Sequence, residues 1–155
     1  MSKSTASHKA LFKPSANMES ELNDVVRLIT SVLSLDINVV IKKRMLNHAI
    51  WEVAYATGNF KGRYRSQGVI DRVGIEIQRD HVHQKKDTVD RLLKGQTSVE
   101  QAVRDTIQCV VTREEHLRLS DYSKLNPEVD GWNRYNNIGI IVYDMLTGKV
   151  FECGF

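Results

Sequence analysis

The sequence predicts an α+β fold: helices gathered in the N-terminal part, followed by a small, mostly antiparallel sheet with further helices beside it. Three observations carry that prediction. Apolar residues recur every three or four positions between Glu19 and Thr57, which is the helical period. The run Val73-Gly74-Ile75-Glu76-Ile77 alternates as a half-buried strand does, and Cys109-Val110-Val111 and Ile138 to Tyr143 are short apolar runs of strand length. Finally, Thr112-Arg113-Glu114-Glu115 has the spacing of a helix capping box.

Composition sets the outer bounds. In 155 residues, 41% are hydrophobic and 26% charged, enough for one ordered domain over residues 18–155. No stretch of about 18 apolar residues occurs, so no membrane span is expected. Residues 1–17 are small, polar and basic, and read as a flexible tail. Cys109 and Cys153 form no Cys-x-x-Cys pair, which excludes a zinc knuckle. Without a secretory leader, they read as thiols of the reducing cytoplasm. The net charge of +3 permits contact with nucleic acid without requiring it.

Leu22, Val25, Val26, Ile29, Val32 and Leu33 define the first helix, Glu19 to Leu35, with acidic residues at its start, where they complement the helix dipole. A second helix runs from about Ile37, capped by Asp36, to Thr57 and stops at Gly58. Its middle, residues 49–56, is apolar nearly all round and belongs in a core, with His48 and Trp51 as packing residues. Asn59 to Gly68 reads as a loop. Lys61, Arg63 and Arg65 interleave there with Phe60 and Tyr64, a pattern suited to phosphates and bases. Val69 to Gln78 reads as a strand. Thr88 to Lys94 is a short helix. Thr97 to Glu100 is a capping box opening a helix to about Ile107. Cys109 to Val111 is a buried strand. A last helix carries His116 and runs to about Leu119. After a polar loop, Trp132 to Asn137 leads into a strand over 138–143, with Lys149 to Phe155 as its hairpin partner. Arg134, flanked by aromatic and Asn residues, is a candidate clamp for phosphate or a base edge.

The chemistry concentrates in Asp80-His81-Val82-His83 and Thr112 to His116. These hold three of the five histidines. Hydrolysis of a phosphodiester needs a base for the water proton and a cation for the developing charge. An imidazole suits the first task, and a carboxylate with an imidazole can hold a divalent ion. Adjacent strand residues point to opposite sides, so Asp80 and His81 can serve different tasks.

An acidic-His pair after a strand, followed by Val110 to His116 across a strand-to-helix junction, resembles the HNH (ββα-metal) nuclease family over about residues 70–120. The resemblance implies that Asp80 and His116 bind the metal and that His81 is the general base, with His83 near enough to exchange roles with it. It implies a divalent ion, Mg²⁺ or Mn²⁺ first and Zn²⁺ or Ni²⁺ as alternatives, and DNA as the partner. It leaves room for a homo-oligomer. The competing expectation is a catalytically degenerate chain that binds nucleic acid or another protein.

Overall fold

The computed structural model describes the backbone of residues 2–3 and all of residues 8–152. The α+β class holds. In chain order the elements are β1 (Ser2–Lys3), α1 (Met18–Ser34), α2 (Val39–Ala56), a 3₁₀ turn (Asn59–Lys61), β2 (Tyr64–Ser66), α3 (Gln67–Asp71), β3 (Glu76–His81), α4 (Lys85–Leu93), α5 (Val99–Asp105), β4 (Gln108–Thr112), α6 (Arg113–Leu125), α7 (Asn133–Asn137), β5 (Val142–Asp144) and β6 (Lys149–Phe151). No helix among the described residues is long and apolar enough to cross a membrane.

The chain divides into two compact units. One is helical, residues 14–57 and 83–107, and contains α1, α2, α4 and α5. Its core joins Val25, Ile29 and Val32 of α1 to Leu46, Ile50 and Val53 of α2, with Val89 and Leu92 of α4 and Ala102 and Val103 of α5 packed in. The helix ends follow local chemistry. Asn38, rather than Asp36, caps α2 by accepting the Val40 N–H at 2.8 Å. Ser98 caps α5 by accepting from Gln101. His48 departs from its expected core place and is exposed. Trp51 is half-buried, with the Lys85 ammonium 4.4 Å from its ring centroid.

The other unit holds the sheet, ordered β1-β3-β4-β2-β5-β6. β3 and β4 pair antiparallel, with Asp80 opposite Cys109 and His81 opposite Gln108. β2 joins β4 in parallel, and β5 and β6 extend the sheet antiparallel. Of the strand expected over residues 69–78, only Glu76 to Gln78 forms, as the start of β3. Ser66 accepts the Val69 N–H and starts α3 there, and Gly74 turns the chain at φ +77° before β3 begins. The strand expected at 138–143 is delayed to Val142 because Trp132 to Asn137 closes into α7. α6 runs six residues beyond the expected Leu119, and its capping box at Thr112 and Glu115 is present.

The expected tail is also modified. Ser2 and Lys3 pair with β3, His8 is buried, and the Phe12 N–H donates to the Met145 carbonyl. The remaining residues of 1–7 lie outside the described residues, as do 153–155 of the expected return strand and with them Cys153. Cys109 is buried.

Arg63 and Asp144 link β2 to β5 through two hydrogen bonds, Nε to Oδ1 at 2.8 Å and Nη2 to Oδ2 at 2.7 Å. The hydrogen bond from Arg63 holds the Asp144 carboxyl below its ordinary range. A carboxyl depressed by folding stabilises the fold above its unfolded pKa, and that contribution is lost as pH falls through the lower folded value. Acidifying from about pH 6 to about pH 3 is therefore expected to cost the parent chain more stability than it costs Asp144→Asn, by up to ~1 kcal/mol. Arg63 keeps 42% of its side chain exposed, and solvent screening holds the difference that low. Urea midpoints at the two pH values check it; parallel losses in both chains would remove the pair from the acid response.

Candidate functional site

β3 delivers Asp80 and His81 to different faces of the sheet, because side chains alternate along a strand. The neighbours bear this out. Gln108, the cross-strand partner of His81, donates to the Asn59 carbonyl at 3.0 Å, and Arg79 donates to Asn59 Oδ1 at 2.6 Å. The His81 face thus lies over the 3₁₀ turn. The Asp80 face lies under α6 and α7.

Asp80 is 7% exposed, and its carboxylate is well occupied. Arg134 Nη2 donates to Oδ2 at 2.8 Å. The Tyr135 hydroxyl donates to the same oxygen in a short hydrogen bond. On the other oxygen, His116 Nε2 stands 3.9 Å from Oδ1, beyond hydrogen-bond range but within ion-pair range. Tyr135 is fully buried, and burial together with the Asp80 charge pushes its phenol well above its ordinary value. It therefore stays a proton donor to Asp80 at any physiological pH.

Arg134 does more than neutralise Asp80. The same Nη2 also donates to the carbonyls of His81 at 2.7 Å and Val82 at 2.9 Å, and Nη1 reaches Ser123 at 3.2 Å. One nitrogen with two hydrogens serves three acceptors, so this guanidinium locks the end of β3. A short helix places it. Gly131 turns at φ +68°, and the Tyr135 N–H then donates to the Trp132 carbonyl, opening α7.

His116 lies on α6, whose start is fixed twice over. Glu115 Oε2 accepts the Thr112 N–H at 2.8 Å and the Ser66 hydroxyl at 2.6 Å, while Thr112 Oγ1 accepts the Glu115 N–H. Gly68 leaves room for that carboxylate: a Cβ there would sit 2.7 Å from Glu115 Oε1.

The predicted site residues thus separate. Asp80 and His116 come together. His81 ends the same strand on the other face, 9% exposed. His83 falls in the helical unit, half-buried. Two of the predicted nucleic-acid contacts are corrected by burial. Arg65 is 3% exposed, and its guanidinium donates to the carbonyls of Gly62, His8, Ala10 and Lys61. Arg134 is 3% exposed and bound to Asp80. Neither presents a cation to a surface ligand. Lys61 is exposed, and Arg63 is half-exposed beside Tyr64 while tied to Asp144. The partnership of Arg134 and Tyr135 with Asp80 had no signal in spacing, since Asp80 lies more than fifty positions from both.

Two donor atoms that share one ion at about 2.1 Å each can stand at most ~4.2 Å apart, and the Asp80–His116 separation of 3.9 Å meets that limit. Among the described residues no cluster of three or more His, Cys, Asp or Glu side chains adds to the pair. The separation leaves space for one ion between the two donors, and an ion there would take its other positions from water and phosphate.

No family model, no curated protein and no solved structure matches this chain.

Proposed function

We propose that this chain is a divalent-metal-dependent endonuclease that hydrolyses DNA phosphodiester bonds. The observation that carries the reading is the approach of Asp80 Oδ1 and His116 Nε2 to 3.9 Å, from a strand and from the helix that follows its antiparallel partner. Asp80 and His116 hold the ion, Mg²⁺ or Mn²⁺ by preference. When bound, such an ion offsets charge on the phosphate oxygens. Arg134 and Tyr135 fix Asp80 Oδ2 and leave Oδ1 toward His116. His81 is the general base that the sequence assigns; its ring lies on the other face of β3, so it can take the proton from the attacking water only if the substrate reaches round the strand end. Lys61 and Arg63 supply cations for the phosphate backbone.

A second reading is favoured by one specific feature. Alternation along β3 separates the His81 ring from the Asp80–His116 pair, as expected of a chain that binds nucleic acid without cutting it.

The test is conversion of supercoiled plasmid by the purified chain in EDTA, Mg²⁺, Mn²⁺ or Ni²⁺, with a gel shift on the same samples. Mg²⁺- or Mn²⁺-dependent nicking that falls at least about a hundredfold in both His81→Ala and His116→Ala is the expected result. Full activity in His81→Ala would remove it as the base. Retained DNA binding with no nicking in any ion would establish the second reading, and loss of both activities would sink the pair of them.

A further inference from the structure

We propose that the exposed apolar face of the α1–α2 hairpin docks a second copy of this chain, antiparallel to the first, forming a four-helix interface. The hairpin leaves an unusual amount of apolar surface in water. In α1, Leu28 is 44% exposed, and Leu35, just beyond its end, is 42% exposed. In α2, Ile41 is 47%, Met45 37% and Tyr55 53% exposed. Ile37, Val39 and Val40 add to this at the turn.

Leu28, Leu35, Ile41, Met45 and Tyr55 share one side of the hairpin. Ile41, Met45, His48, Glu52 and Tyr55 follow one another at spacings of four, three, four and three, a single stripe along α2. Leu28 of α1 and Leu35, which caps its C-terminal end, are seven apart and continue one stripe. The two stripes adjoin, because Leu28, Glu52 and Tyr55 line one shallow groove between the helices. Opposite this side, Leu46, Ile50 and Val53 fill the core.

Area and charge both select a second copy as the occupant. The exposed surface of these five side chains amounts to roughly 400 Å², the size of a full patch on a monomer. With the polar residues of the same stripes the face approaches the ~800 Å² per partner that a stable dimer buries. Charge is divided along the hairpin. Glu21, Asp24 and Glu52 lie at the end away from the turn, with Arg27 bonded to Asp24 at 3.0 Å. Lys42 and Arg44 flank the stripe at the turn end and outweigh Asp36, the acidic residue of the turn. A two-fold axis across the middle of the face sets each acidic end against the other copy's basic end and overlays the apolar middles, as an isologous interface requires.

The test is sedimentation velocity of the full chain from about 1 to 100 μM, where a mass twice that of the monomer is expected. Ile41→Lys and Met45→Lys, both at exposed positions, are expected to raise the dissociation constant at least about tenfold with helix content unchanged. Glu52→Lys is expected to weaken the dimer, and adding Lys42→Glu to restore it. A monomer at the highest concentration overturns the proposal, as does a dimer indifferent to both Ile41→Lys and Met45→Lys. A monomer that floats with phosphatidylserine vesicles overturns it in favour of a membrane surface.

Discussion

Arg134→Met is expected to destabilise the chain by about 3–5 kcal/mol, a large share of the 5–15 kcal/mol that a domain of ordinary stability has. The size follows from what the substitution leaves behind. The Asp80 carboxylate, 7% exposed, keeps the Tyr135 hydroxyl but loses its guanidinium. The carbonyls of His81 and Val82 lose a donor at the same time. An ionised group buried without its counter-charge costs far more than the intact pair gains, because both ions had already given up water. Among the described residues Arg134 Nε has no hydrogen-bond partner, so the loss resides in the Nη side of the fork. Methionine retains most of the side-chain bulk, which confines the effect to polarity. The second half of the test is Asp80→Asn in the Arg134→Met background. An amide oxygen still accepts from Tyr135 and carries no charge, so the double variant is expected to recover at least half of the loss. A double-mutant cycle from urea unfolding at neutral pH measures the coupling. A loss below about 1 kcal/mol in Arg134→Met, or no recovery in the double variant, would mean that water reaches Asp80 and that Arg134 is not its anchor.

The same cluster marks where reading the chain from its sequence stops. Helix periodicity placed α1 and α2 to within two residues, and the Thr112–Glu115 box placed the start of α6, because each signal lies within one or two turns of chain. The turn of β5 into β6 was legible for the same reason: Gly148 takes φ +71° and donates to the Asp144 carbonyl. Val69 and Ile70 looked like strand because they are β-branched; the cap from Ser66 outweighed propensity. At the site, the approach of Asp80 to His116 was expected, but the Arg134–Tyr135 fork was not. A basic and aromatic pair beside asparagines looks the same whether it faces a phosphate or a buried carboxylate. Only the tertiary placement of α7, set by Gly131, decides between them. Arg65 carries the same lesson. Among three interleaved cations it looked like a surface contact, yet it is folded inward onto four backbone carbonyls.

Leu46→Ala and Ile41→Ala, five residues apart on α2, are expected to behave oppositely in dilute solution. Leu46 is fully buried in the core it shares with Ile29 and Val32 of α1 and Ile50 of its own helix. Truncating it removes its burial and leaves a cavity that the packed helices fill only in part, at a cost of about 3 kcal/mol within a usual range of ~2–5. Ile41 is 47% exposed, and its truncation is expected to cost the isolated chain under about 0.5 kcal/mol. Alanine's higher helix propensity offsets part even of that. The two substitutions therefore separate the core side of α2 from the side assigned to a second copy. Raising the protein concentration should leave the Leu46→Ala deficit in place. It should also open a deficit for Ile41→Ala relative to the parent, since only the parent gains stability from association. Urea unfolding at two concentrations a hundredfold apart reads both effects. A large, concentration-independent loss in Ile41→Ala would place that side chain in the core of the helical unit, and the hairpin face would then have no surface to offer.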